Sequence, residues 1–154
     1  MKARLRAIVL ALLAGSAGAL SGTPLEASLH APTDRPDRLY VVLFSLPDCA
    51  YCVPIRNAYL PALPDDPRFG ARVRIREIVI GSPRLLTDFD GKPARHADLA
   101  HRYGVKFAPT VLFLDARGAA RAAPLPGGDG SGLYGGYLES RVLQALDAGA
   151  AAPR

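Results

Sequence analysis

The sequence predicts an α/β domain with a central mixed sheet of about four strands, flanked by helices. Residues 39–44 and 111–114 are short apolar runs, and the first has the length and β-branched content of a strand buried on both faces. Residues 73–80 are a further strand candidate, in which arginines alternate with apolar residues before an apolar end. Apolar residues recur at helical spacing in residues 49–63, 94–103 and 136–148. Because a helix separates the first two strands, they should be parallel and joined by a right-handed crossover. Residues 119–125 should return as an antiparallel strand of the same sheet.

The first helix is expected directly after the first strand. Asp48 is a candidate N-cap, and the helix should run from Cys49 to about residue 60 or 63. Pro54 lies inside this stretch, so we expect a kink or an irregular first turn. The prolines at positions 61, 64 and 67 should end the helix.

The remaining segments are predicted as edge and loop features. Arginines at positions 72, 74 and 76 alternate with apolar residues, which is more typical of a solvated strand face near a sheet edge than of an anion-binding row. Residues 81–93 should be a polar loop, and residues 115–118 a turn that ends in glycine. The glycine cluster at residues 127–132 lacks the Lys-Ser/Thr ending of a phosphate-binding loop, so we reject that function for it.

Length and composition indicate one folded domain. The chain has 154 residues, of which 49% are hydrophobic and 21% charged, which favours a packed core over disorder. We place the domain at residues 38–148. Residues 20–37 contain three prolines and are predicted to be a linker or loosely attached lead-in, and residues 149–154 a flexible tail.

The N-terminus has the pattern of a secretory signal peptide. A basic start is followed by an uninterrupted apolar run at residues 8–13 and by the small-residue sequence Ala17-Gly18-Ala19. We expect cleavage after Ala19 and a periplasmic or secreted protein. The alternative is an uncleaved membrane anchor, but the apolar run falls short of the roughly 20 residues that span a bilayer. No stable membrane anchor is therefore expected.

The net charge does not indicate nucleic-acid binding. Lys and Arg total 19 and Asp and Glu total 14, but residues 1–19 hold three of the basic residues and no acid. The mature chain therefore has 16 basic against 14 acidic side chains, a net charge of about +2. Basic and aromatic residues are not interleaved either, so we expect no nucleic-acid partner.

The two cysteines, Cys49 and Cys52, are separated by two residues. A structural disulfide usually closes a longer loop, because a short loop constrains the unfolded chain less. In an exported protein this spacing is better explained by a redox dithiol. At a helix start the amide groups favour a thiolate on the first cysteine, and the second lies one turn on. Cys49 is thus the predicted nucleophile and Cys52 the resolving cysteine.

Metal and haem sites are the competing explanations of this motif. Two cysteines at this spacing also form half of a zinc site, but the sequence has no second such pair. The histidines are His30, His96 and His101; the last two are five residues apart and are expected at the surface. Haem attachment would require His at position 53, which is Val. We therefore expect no metal ligand and no cofactor.

Two segments resemble the thioredoxin superfamily. They are Pro47-Asp48-Cys49-Ala50-Tyr51-Cys52 and Val105-Lys106-Phe107-Ala108-Pro109-Thr110, each beside the expected strand. The resemblance covers about residues 38–147 and implies the thioredoxin fold, with a shortened N-terminal part. It also implies that Pro109 is cis and faces the dithiol, and that the backbone around Ala108 pairs with a substrate chain. Tyr51 is a further candidate for substrate contact, either shaping or shielding the site.

A more specific resemblance concerns residues 87–92 and the helix end at residues 99–105. These segments are similar to the periplasmic thioredoxin-like proteins associated with bacterial sulfur oxidation. That similarity implies a reductive role towards exported protein disulfides. It would require a membrane or periplasmic thiol-redox donor, and we expect a monomer.

The sequence also departs from cytosolic thioredoxins. They carry a buried acid six residues before the first cysteine, which assists proton transfer, and this position is Leu43. Ala50-Tyr51 stands where those proteins have Gly-Pro. These departures leave the dithiol chemistry in place and the proton-transfer route open. The alternatives are a disulfide oxidase or isomerase with the same site, or a non-enzymatic metal-binding or adaptor module on the same scaffold.

Overall fold

The computed structural model describes residues 25–33, 35 and 37–151 of the chain. The expected signal peptide, the cleavage point after Ala19 and residues 152–154 lie outside this range. The strands are β1 (Leu39–Ser45), β2 (Val73–Val79), β3 (Leu85–Thr87), β4 (Pro93–Arg95), β5 (Thr110–Leu114) and β6 (Leu125–Pro126). The helices are α1 (Cys52–Pro54), a π-helical segment (Ile55–Tyr59), α2 (Leu60–Asp65), a 3₁₀ turn (Gly70–Arg72), α3 (His96–Arg102) and α4 (Tyr134–Ala151).

Four strands form the central mixed sheet in the order β2-β1-β5-β6. Strand β1 is parallel to β2, with Leu43 opposite Glu77, and antiparallel to β5, with Phe44 opposite Thr110. All seven residues of β1 are buried, as its unbroken apolar sequence predicts for a strand covered on both faces. The mixed four-stranded sheet expected from the sequence is confirmed.

The two faces of the sheet support two separate hydrophobic cores. Alternate residues of β1 point to opposite faces, so Val41 and Leu43 belong to one core and Val42 and Phe44 to the other. The first core lies beneath the helical stretch that starts at Cys52 and beneath α4. The second lies beneath α3 and the β3–β4 hairpin. The cysteine-bearing helix is thus fixed to the sheet along its buried face.

The first helix is irregular, as predicted, but longer than its prolines suggest. The Leu60 N–H donates to Ile55 O, five residues back, which makes a π-helical turn. Pro61 follows at once, and a proline ring displaces the carbonyl four residues before it, so the ladder widens here. The prediction that Pro61 and Pro64 end the helix is wrong, since both lie inside α2. The helix ends at Asp65, because the residue before Pro67 adopts an extended conformation.

The lead-in is more firmly attached than the sequence predicts. Leu29 is fully buried, and its N–H donates to Thr87 O at 2.8 Å. The Glu77 N–H donates to Glu26 O at 3.0 Å, on the free side of the edge strand β2. Residues 25–30 therefore belong to the folded unit, because they cover both the exposed edge of β2 and the β3–β4 hairpin.

Other segments also differ from their predictions. The loop expected over residues 81–93 contains β3 and leads into β4, which pairs with it as a separate hairpin. The strand expected at residues 119–125 shrinks to an isolated bridge at Ala120 and the two-residue β6. Helix α4 continues to Ala151, which includes residues 149–151 of the predicted tail. On edge strand β2, Arg74 is exposed as expected, whereas Arg76 is buried and forms an ion pair with Glu26 at 3.1 Å.

Candidate active site

Cys49 and Cys52 form a disulfide beyond the C-terminal end of β1, with their Cα atoms 5.3 Å apart. Strand β1 ends at Ser45, and α1 begins at Cys52. Cys52 is fully buried in the first turn of the helix, whereas Cys49 is partly exposed. Of the two, therefore, Cys49 is the residue that a second molecule can approach.

The helix start differs from the prediction in its cap. Asp48 has a positive φ of 55° and lies in the left-handed region, which is uncommon for a residue other than glycine. The helix begins after Tyr51, which makes no side-chain capping bond, and the Cys52 N–H donates to Cys49 O at 3.0 Å. The prediction that Asp48 is the N-cap is therefore wrong. Its left-handed turn instead lets the chain reverse between the strand and the cysteines.

Pro109 follows a cis peptide bond with Ala108, as the resemblance implies. It lies directly before β5, whose first residue, Thr110, pairs with Phe44 near the end of β1. The N-terminal end of β5 and the C-terminal end of β1 meet at one edge of the sheet, because the two strands are antiparallel. Ala108 and Pro109 therefore lie at the same edge as the cysteines.

The glycine cluster at residues 127–132 lies against this edge. The Gly127 N–H donates to Pro109 O at 2.8 Å. A β-carbon on Gly128 would lie only 3.1 Å from Cβ of Tyr51, the residue just before Cys52. We call residues 127–132 the glycine loop. It connects the two predicted substrate-contacting segments, one around Tyr51 and one around Pro109.

The glycine loop is anchored by a carboxylate that no sequence motif singles out. Tyr59, on the π-helical segment, donates a hydrogen bond to Asp129. The Tyr134 N–H at the start of α4 donates to the same carboxylate at 3.4 Å. These bonds lower the pKa of Asp129, with the Tyr59 hydrogen bond as the largest cause, and the same hydrogen bond raises the pKa of Tyr59. No local pattern relates positions 59 and 129, which are 70 residues apart.

A buried charged group lies on the sheet face beneath the cysteine-bearing helix. Glu77 is 2% exposed and accepts hydrogen bonds from Ser45 Oγ at 2.6 Å and from Arg56 Nε at 2.8 Å. Arg56 is four residues after Cys52, and Glu77 is the β2 neighbour of Leu43. The sequence analysis did not identify this carboxylate. The one feature that could have indicated it is an acidic residue directly before the apolar end of a predicted strand.

The histidines lie outside this site. His96 is expected at the surface but is buried, with its Nδ1 accepting a hydrogen bond from the Val79 N–H at 3.0 Å. Burial lowers the pKa of His96, and the nearby Glu77 carboxylate opposes this shift. Among the residues that the structure describes, no group of three or more His, Cys, Asp or Glu side chains could hold a metal ion. In the same part of the chain, no helix is long and apolar enough to cross a membrane.

The chain is similar in sequence and in structure to known proteins. A sequence model of a family described as a thioredoxin-like domain matches residues 31–130. No curated protein sequence matches the chain. Among solved structures, the chain is similar to the periplasmic thioredoxin SoxS of Paracoccus pantotrophus in its reduced form, at 21% identity and a TM-score of 0.47, over 70% of this chain and 99% of that one. It is also similar to a thioredoxin of Malassezia sympodialis, at 20% identity and a TM-score of 0.48, over 71% and 79%.

Proposed function

Since the chain belongs to the family of thioredoxin-like domains, we propose that it is an exported thiol-disulfide oxidoreductase that reduces protein disulfides through Cys49 and Cys52. The observation that carries this proposal is the asymmetry of the pair. A partly exposed cysteine is joined to a fully buried one at the start of a helix, at the same end of the sheet as Pro109. That arrangement suits thiol-disulfide exchange, in which one sulfur meets the substrate and the other completes the reaction.

The reaction starts from the dithiol form. The Cys49 thiolate attacks one sulfur of the substrate disulfide, the substrate S–S bond breaks, and the first substrate sulfur leaves and takes up a proton. Cys52, having lost its proton, then attacks Cys49 Sγ, which breaks the mixed disulfide and releases the second substrate thiol. Two electrons have moved to the substrate, and the Cys49–Cys52 disulfide seen in the structure is the oxidised product.

The start of the helix favours the reactive form of Cys49. The backbone amides of the first helical turn carry partial positive charge and are near Cys49, which precedes the helix. This charge stabilises a thiolate on Cys49. The substrate chain lies along Ala108, which precedes β5 and is outside the β1–β5 and β5–β6 pairings. Its backbone would pair with Ala108, as the family resemblance implies, while Tyr51 contacts its side chains.

Export and the reductive direction are further parts of the proposal. Export rests on the basic start, the apolar run and Ala17-Gly18-Ala19 in the sequence. The reductive direction rests on the sequence similarity of residues 87–92 to periplasmic proteins associated with sulfur oxidation. A membrane or periplasmic thiol donor would return the disulfide to the dithiol after each cycle.

Turnover of a disulfide-bonded peptide tests the activity, with dithiothreitol as the electron donor. The mature chain from residue 20 should accelerate reduction of the peptide above the rate with dithiothreitol alone. Cys49→Ser should remove the acceleration, since it removes the attacking sulfur. Ser140→Ala, at an exposed position on α4, is a matched control that should retain it. Unchanged acceleration by Cys49→Ser would refute the assignment.

The reduction potential of the mature chain decides the direction. Equilibration in glutathione buffers followed by thiol trapping should give a value near that of thioredoxin, about −270 mV. A value near about −120 mV would instead identify a strong oxidant and would exclude the reductive role.

A further inference from the structure

The glycine loop contacts the two segments that we expect to meet the substrate of the proposed oxidoreductase. The loop is held at three places. Gly127 bonds to Pro109 O, Gly128 lies against Tyr51, and Asp129 accepts the hydroxyl of Tyr59. The first contact is with Pro109 at the same end of the sheet as the disulfide, the second is with Tyr51 between the two cysteines, and the third is with the helical stretch that starts at Cys52.

Asp129 is the group that fixes the loop. Besides the Tyr59 hydroxyl, its carboxylate accepts the backbone N–H of Tyr134 at 3.4 Å. Tyr134 is buried in the first core, and its ring lies 5.3 Å from that of Tyr59. The carboxylate therefore joins the loop to the hydroxyl of Tyr59 and to the backbone of Tyr134, two residues whose rings pack against each other.

Gly128 makes the close approach to Tyr51 possible. A β-carbon at this position would lie 3.1 Å from Tyr51 Cβ and 3.3 Å from its Cδ1, closer than ordinary van der Waals contact. The loop backbone therefore covers part of one side of the tyrosine, while the residue as a whole remains 71% exposed. The position of Tyr51 beside the disulfide thus depends on where the loop is held.

The glycine loop adds no free charge to the surface around the disulfide. Asp129 is the only ionisable residue of the loop, and it is engaged with the Tyr59 hydroxyl and the Tyr134 N–H. Exposed apolar side chains adjoin the two segments around the disulfide: Tyr51, Phe107 at 58% and Leu46 at 43%. Exposed apolar side chains near the disulfide suit an extended polypeptide with an apolar side chain near its own disulfide.

We propose that Asp129 is a positioning residue for substrate recognition: through Tyr59 it holds the glycine loop against Tyr51 and Pro109, and so forms the wall that binds an apolar, extended segment of a protein disulfide. This inference rests on the proposed function, and it names the substrate class and the residue that selects it. Asp129 takes no part in the exchange of sulfur bonds, and its effect should appear in substrate binding.

Single-turnover kinetics of the pre-reduced chain test this role with two substrates. One is a disulfide-bonded peptide with phenylalanine beside its cysteine, and the other is 2-hydroxyethyl disulfide, which is too small to reach the loop. Asp129→Asn should raise the half-saturation concentration for the peptide about tenfold, because a hydrogen bond to a charged group no longer orders the wall. The limiting rate for the peptide and the rate with 2-hydroxyethyl disulfide should stay unchanged.

Three further variants distinguish this role from simple misfolding. Tyr59→Phe keeps the ring contact with Tyr134 and removes only the hydroxyl, so it should match Asp129→Asn. The double variant should be no worse than either single variant, since both changes act on the same hydrogen bond: Tyr59→Phe removes the donor, and Asp129→Asn removes the charge of the acceptor. Asp147→Asn, at an exposed position on α4, is the matched control and should behave as wild type. Equal slowing of both substrates, or no change with either, would overturn the inference.

A binding measurement separates this inference from the proposed function. The same peptide with serine in place of cysteine is titrated into the oxidised chain. If the wild type reduces neither disulfide, the proposed function fails, yet a Kd about tenfold weaker in Asp129→Asn would still support the wall. An equal Kd in wild type and Asp129→Asn would overturn the wall whatever the activity.

Discussion

Arg56 donates to both carboxylate oxygens of Glu77, with Nε–O distances of 2.8 and 2.9 Å, and so joins the cysteine-bearing helix to edge strand β2. The Glu77 side chain is 2% exposed and that of Arg56 19%. Glu77 stands opposite Leu43, the position where cytosolic thioredoxins have their buried acid. A buried acid beneath the cysteine-bearing helix is therefore present on the neighbouring strand, and it is paired with an arginine one turn beyond Cys52.

Arg56→Met should destabilise the fold more than Glu77→Gln. The first change leaves a buried carboxylate without its cation, for which a loss of about 3–5 kcal/mol is expected. The second leaves an arginine that can reach water, so the loss should be about 1–2 kcal/mol. Urea unfolding measures both. Arg95→Met, which breaks an exposed pair with Asp98, is the control and should change little. Similar losses for Arg56→Met and Arg95→Met would contradict the importance of the buried pair.

The buried histidine predicts a pH dependence of stability. Burial lowers the pKa of His96 below its usual 6.5 in the folded chain, while the unfolded chain keeps the ordinary value. Below pH 6.5 the unfolded state therefore binds a proton that the folded state does not. As the pH is lowered, the free energy of unfolding decreases by at most about 1.4 kcal/mol per pH unit, until the pH reaches the pKa of His96 in the folded chain. Above pH 6.5 this effect is absent.

His96→Gln tests that dependence, because glutamine can still accept the Val79 N–H but does not titrate. The free energy of unfolding, measured in urea between pH 7.5 and 5, should fall less steeply in the variant than in wild type. The acidic side chains are the same in both chains, so their contribution cancels in the comparison. Parallel slopes would show that His96 titrates normally in the folded chain.

Two glycines with positive φ should respond differently to alanine. Gly104 has φ 64° and no atom within 4 Å of the place that a β-carbon would occupy, so Gly104→Ala should cost only the left-handed backbone, about 1–2 kcal/mol. At Gly118, with φ 83°, the β-carbon would lie 2.6 Å from Tyr103 Oη and 2.8 Å from Phe89 Cδ2. Crowding should add roughly 1–3 kcal/mol there. Thermal unfolding of the two variants would reveal the difference, and equal losses would mean that the crowding is relieved.

Leu29 should stabilise the domain although it precedes the first strand. It is fully buried in the second core, so Leu29→Ala should cost about 2–5 kcal/mol. Leu85→Ala, at a leucine that is 64% exposed, is the matched control and should change stability by less than about 0.5 kcal/mol. Urea denaturation of both variants gives the comparison. A Leu29 variant as stable as the control would mean that residues 25–30 do not contribute to the folded unit.

The elements that could be predicted are those buried on both faces. Strand β1 is expected at residues 39–44 and is found at Leu39–Ser45. In a small domain, an unbroken apolar run of this length is buried almost only in a central strand that is covered on both faces. The cysteine pair and Pro109 are found from their motifs. The β3–β4 hairpin was missed because its strands have three residues each, and Leu85, Pro93 and Arg95 are exposed, so no hydrophobic alternation marks them.

The rest of the site depends on contacts between distant positions. Arg56 and Glu77 are 21 residues apart, and Tyr59 and Asp129 are 70 apart, so neither pair leaves a local pattern. Each residue alone is ordinary in sequence: an acid in a strand, an acid among glycines, a tyrosine in a helix. Asp48 is a case in which a local pattern is present but misleading. Its residue type is typical of an N-cap, yet its backbone adopts a left-handed conformation before the helix begins.

Trapping of the mixed disulfide tests the role of Cys49 most directly. The Cys52→Ser chain, pre-reduced and mixed with a disulfide-bonded peptide, should accumulate a covalent adduct through Cys49, seen by mass spectrometry of the intact and digested protein. Cys49→Ser, treated in the same way, should form almost none, because Cys52 is fully buried. Adducts of equal yield on both variants, or none on either, would contradict the assignment of Cys49 as the attacking residue.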